Sequence, residues 1–138
     1  MSLIASTPRG FSLAGWRAVA GVTLGWCLAP ALLAGLGWMV LQISGPDRIG
    51  PDYPGWEMLA VFFALSPLIT GPVWGVIGAG AAWGMQHGAY GSLSAALLGA
   101  LAGFAAEVST GIPLLAPLGA AFATFHRFTL ALIRPGAF

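Results

Sequence analysis

The chain has 138 residues, 58% of them hydrophobic and only 7% charged, with a formal net charge of +1 and a mean hydropathy of +0.88. Water-soluble domains carry about 25% charged residues, so a soluble globular protein is excluded: too little charge is present to cover its surface. Lysine is absent and the five arginines are scattered, which leaves no basic face for a nucleic acid.

The N-terminal stretch MSLIASTPRGFSLAGWR has its basic residues late, and the apolar run behind it outlasts a cleavable signal core. That run, Ala18 to Leu41, is expected to stay in the protein as a first membrane helix. At 1.5 Å per residue it can cross a hydrocarbon layer of about 30 Å. Ser44 to Glu57 follows with three prolines, three glycines and four charges, and reads as a loop. Tyr53 and Trp56 stand where interfacial aromatics belong.

Met58 to about Met85 reads as a second span, kinked by Pro67 and Pro72 in the half nearest the loop. Carbonyls freed by those prolines need new partners in lipid. Gln86 to Gly91 is a turn. Ser92 to about Val108 and Pro113 to Ile133 then form a tight antiparallel pair, separated by the turn signal Ser109-Thr110-Gly111-Ile112-Pro113. The competing three-span arrangement would make Ser92 to Val108 partly re-entrant. Charge bias decides against it. Four spans put Arg9, Arg17, Arg127 and Arg134 on one side, and Arg48 with Asp47, Asp52, Glu57 and Glu107 on the other.

The expected fold is therefore an all-α integral membrane protein of the bacterial inner membrane. One transmembrane domain covers residues 1–138, with helices at about 18–41, 58–85, 92–108 and 113–133. Both termini are cytoplasmic and residues 42–57 form a periplasmic loop.

Gly91, Ala95, Gly99, Gly103 and Glu107 recur at every fourth position and share one helix face. Small residues let helix backbones approach closely, a main source of association in lipid. Gly71 and Gly75 make a similar stripe on the second span, and Gly21 and Gly25 a shorter one on the first. Glu107 ends its stripe near the outer interface, where the cost of a carboxylate falls steeply. A locally hydrogen-bonded carboxylate is the favoured reading, ahead of contact with a partner subunit and of a proton or cation role.

The single cysteine, Cys27, rules out an internal disulfide and reads as a small buried apolar residue. His126 and Arg127 lie near the inner end of the last span, and Arg127 is expected to snorkel to lipid phosphates. Histidines within membranes can ligate haem or chlorophyll-type pigments, but no neighbouring motif marks His126 for that. His87 falls in an exposed turn. Two histidines alone leave a metal site short of ligands, so no metal or cofactor is expected. The acidic loop residues match no calcium loop.

A weak echo links Thr70-Gly71-Pro72 with Gly78-Ala79-Gly80 to Thr110-Gly111-Ile112-Pro113 with Gly119-Ala120, and raises an internal repeat as an alternative. With little extramembrane mass and few polar groups in its spans, the chain reads as an accessory, assembly or stabilising subunit of a larger membrane complex. Its partners would be lipids and that complex, or further copies of itself. A homo-oligomeric transporter or channel using Glu107 is the alternative. Enzymatic activity ranks third, because no nucleophile is paired with a base.

Overall fold

A computed structural model describes residues 5–7, 9–44 and 55–138. These residues are all-helical: α1 (Gly10–Ala14), α2 (Trp16–Ser44), α3 (Gly55–Gln86), α4 (Ser92–Thr110), α5 (Leu115–Ile133) and a closing 3-10 turn (Pro135–Ala137). Four of the helices, α2 to α5, are long and apolar enough to cross a membrane. The protein is thus a multi-pass membrane protein by the length and composition of its helices.

The first three spans run past the boundaries of their apolar runs, and the fourth starts within its own. The α2 helix begins at Trp16 and reaches Ser44, and α3 begins at Gly55, so both take up part of the expected loop. Residues 45–54, including Arg48 and Tyr53, lie outside the described residues. The α4 helix continues through Ser109 and Thr110 because Gly111, at φ 71°, supplies the left-handed cap and returns its amide to the Glu107 carbonyl. The α5 helix starts at Leu115 rather than Pro113, after Leu114 has taken a left-handed conformation with φ 70°. The echoed prolines therefore occupy different settings: Pro72 is inside α3, whereas Pro113 is in the turn before α5.

The chain divides into two compact units. One is Gly25–Pro72, which comprises the later part of α2 and the earlier part of α3. Here Pro67 lacks the amide that would bond to the Phe63 carbonyl four residues back. The Ser66 hydroxyl donates to that carbonyl at 2.7 Å, so the proline's own neighbour repairs the loss, as a lipid environment demands. Thr70 likewise donates to the Ser66 carbonyl at 2.9 Å. Cys27 is buried, as a small apolar residue.

The other unit joins the chain up to Leu24 with Val73–Phe138. Its centre is the α4–α5 hairpin. Ala95, Gly99 and Gly103 are buried on α4, and Gly119 and Ala123 on α5. A methyl group at Gly99 would strike the Gly119 carbonyl oxygen and lie 2.6 Å from the Ala123 methyl; one at Gly103 would strike the Leu115 carbonyl oxygen. Only glycine lets the two backbones meet this closely.

At one end of this unit three distant segments are stitched together. The Ser6 amide donates to the Gly88 carbonyl at 3.0 Å. The Thr7 amide and hydroxyl both donate to the Ala137 carbonyl, at 3.3 and 3.0 Å. The N-terminal segment, the α3–α4 turn and the C-terminal 3-10 turn thus share an end.

Candidate functional site

Within the unit that joins the chain up to Leu24 with Val73–Phe138, two hydroxyl groups converge on His126. It stands on α5, one turn beyond the Gly119–Ala123 contact, and is 0% exposed. Thr23 of α2 and Tyr90 of the α3–α4 turn reach it from either side. The Thr23 hydroxyl is 2.9 Å from Nε2 and the Tyr90 hydroxyl 3.2 Å from Nδ1. Trp74 of α3 lies across the ring at 6.3 Å, tilted by 44°, and also meets Phe122 at 6.0 Å.

Hydrogen-bond directions follow from the donor inventory. The single hydroxyl proton of Thr23 goes to the Val19 carbonyl at 2.8 Å. Thr23 must therefore accept from His126, which places the imidazole proton on Nε2. Nδ1 is left as an acceptor for the Tyr90 O–H. The result is a directed chain from Tyr90 through a neutral His126 and Thr23 to a backbone carbonyl of α2. Every polar atom along it is satisfied, the condition for burying such groups.

Arg127 adjoins this chain and departs from the sequence expectation. It does not snorkel outward but is 1% exposed. Its guanidinium lies 4.9 Å from the Phe138 ring centre and 5.5 Å from that of Phe128, at separations where aromatic faces attract cations. The Tyr90 ring lies 6.5 Å from that of the same Phe138, tilted by 49°. Burial pushes the Tyr90 phenol well above its ordinary value, with the Arg127 charge pulling the other way.

Glu107 sits apart, at the far end of α4. Its Oε2 accepts from the Ala116 amide at 3.4 Å, so the half-buried carboxylate faces the amino end of α5. That end carries a partial positive charge and unpaired amides. Ser109 and Thr110, its nearest polar neighbours in sequence, turn instead to the carbonyls of Ala105 and Ala106.

Among the small residues predicted to pack, Gly99 and Gly103 lie on the α4–α5 contact, and Ala95 is buried one turn earlier on α4. Gly91 is buried at the start of α4, where its amide donates to the Ser94 hydroxyl at 2.7 Å. Methyl groups at Gly21, Gly25, Gly71 and Gly75 would meet no described atom within 4 Å.

No group of three or more metal-ligating side chains exists among the described residues. Both nitrogens of His126 are engaged, so an iron or magnesium ligated there would have to displace Thr23 or Tyr90. His87 is exposed, with Nδ1 on the Trp83 carbonyl at 2.8 Å and its ring 4.5 Å from that of Trp83. The signal for the His126 cluster that sequence reading missed is the histidine itself: in an apolar span it needs two partners, here recruited from positions 23 and 90. No protein-family model, no curated protein and no solved structure matches this chain.

Proposed function

We propose that this protein is an accessory, assembly or stabilising subunit of a larger complex in a bacterial inner membrane, with both termini cytoplasmic. The observation that carries this reading is the internal commitment of its membrane-embedded polar groups. Thr23, Ser66, Thr70 and Thr124 donate to carbonyls of their own helices, His126 is enclosed, and Glu107 faces the amino end of α5. Side chains committed in this way to their own backbone or to the protein interior leave little polar surface for lining the path of a solute.

The bare glycine faces at Gly21 and Gly75 suit close approach by a helix from another subunit. The orientation is supported by the exposed Arg9 and Arg134, which flank the segments gathered at the shared end, since positive charge collects on the cytoplasmic side.

The test is extraction from the native membrane in a mild detergent, followed by native mass determination and identification of what co-purifies. A stoichiometric larger membrane protein is the expected result. A pure homo-oligomer whose ion flux disappears on Glu107→Gln would overturn this reading in favour of transport.

A further inference from the structure

A groove of about 320 Å³ opens on the unit that contains His126, between Phe11 of α1, Trp16, Ala20 and Leu24 of α2, and Gly78 and Ala82 of α3. Thr23 contributes to its floor, but that hydroxyl is already committed to Val19 and His126. The groove therefore offers hydrocarbon contact and no vacant hydrogen-bonding group. A polar ligand would lose its hydration there without compensation. An alkyl chain would not.

The rim is different. Trp16 is 66% exposed, as tryptophans at the headgroup level are. The Arg17 guanidinium lies 5.7 Å over the Trp16 ring, beside the groove. Arg9 and Arg134 are also exposed on the segments joined through Thr7 and Ala137. No aspartate or glutamate occurs in residues 1–46, 58–106 or 108–138, and Glu107 is about 22 Å along α4 from the α3–α4 turn. Arg17 thus gives the rim a positive charge, and among the described side chains Glu107 is the carboxylate, far along α4 from it.

We propose that the groove binds one anionic glycerophospholipid, with an acyl chain against Ala20, Gly78 and Ala82 and the headgroup phosphate on Arg17. Charge complementarity selects this occupant. A hydrophobic helix from another protein would cover the groove but leave the arginine rim unanswered. A zwitterionic lipid would fill the groove with no net charge to attract the rim. This site is independent of any partner complex.

The test uses the full chain in detergent, offered phosphatidylglycerol or phosphatidylcholine in equal amounts, with bound lipid counted by native mass spectrometry. The expected result is one retained phosphatidylglycerol, preferred about fivefold over phosphatidylcholine, the effect of one arginine near an anionic headgroup. Arg17→Gln, an exposed change, should erase the preference. Ala82→Phe, which fills the groove, should remove the retained lipid of either kind, while Leu132→Phe on an exposed part of α5 leaves it in place. Equal retention of both lipids by the wild type would overturn the proposal. So would an undiminished preference in Arg17→Gln, or a photocrosslink from position 82 to a second copy or another protein instead of to lipid.

Discussion

Gly99 and Gly119 touch backbone to backbone, so that a methyl added to either would fall on the carbonyl oxygen of the other. Neither carbonyl can move aside without its helix. Gly99→Ala and Gly119→Ala should each lower stability by about 1–3 kcal/mol, the usual range for overpacking, or more. Gly21→Ala and Gly75→Ala meet open space and should be neutral, or stabilising by up to about 1 kcal/mol through helix propensity. Thermal unfolding of the four variants in one detergent checks this. Equal losses in both pairs would show that the α4–α5 contact is not the tight one.

Glu107 is expected to matter as the carboxylate facing the amino end of α5. Glu107→Gln keeps an acceptor for the Ala116 amide and loses only the charge, so insertion and accumulation should be near normal. Its loss of stability should stay within about 0.3–1 kcal/mol, as for charges at helix ends. Glu107→Leu removes the acceptor as well and should cost more. The order Gln above Leu in unfolding temperature is the readout; the reverse order would detach Glu107 from α5.

The His126 cluster predicts a definite tautomer. Nitrogen-15 spectra of labelled protein should show a protonated Nε2 and an unprotonated Nδ1. A proton on Nδ1 would reverse the assigned chain. Tyr90→Phe and Thr23→Val each orphan one ring nitrogen and should cost about 1–3 kcal/mol. Combined with His126→Leu, either change should cost far less, because the group it orphans is gone.

The raised phenol of Tyr90 gives an alkaline limit. Below about pH 10, the ordinary value for tyrosine, folded and unfolded chains both hold this proton and its contribution is complete. Above it the unfolded chain releases the proton while the folded chain retains it. Stability then falls as pH rises, by at most about 1.4 kcal/mol per pH unit. Unfolding temperatures between pH 8 and 11.5 should drop more steeply for the wild type than for Tyr90→Phe. Parallel curves would show that the phenol is not held from water.

The spans were legible because each is a long apolar run bounded by glycine, proline or charge, and membrane length sets a strict measure. Their ends were not, since helices such as α2 continue over polar residues once begun. Four-residue spacing runs through Ala95, Gly99 and Gly103, which are buried on α4, and equally through Gly71 and Gly75, where a methyl group would meet no described atom. Spacing reports a shared face and not its occupant. The partner residues Gly119 and Ala123 were hidden among 21 glycines and the many alanines. Thr23, Tyr90 and His126 meet only through the tertiary fold, with no local pattern to join them, and Arg127 looked free to snorkel because nothing in its neighbourhood announced Phe138.

The stitching of Thr7 to Ala137 also sets an order of events during synthesis. Its hydroxyl finds an acceptor 130 positions later. At roughly 5–20 residues per second, that delay is on the order of ten seconds. Until then the Thr7 hydroxyl must be satisfied by some other acceptor. Ala137 follows the end of α5 by only a few residues, so the clasp and the α4–α5 hairpin become available within about a second of each other, and the N-terminus is fastened at the same stage as the last helix pair.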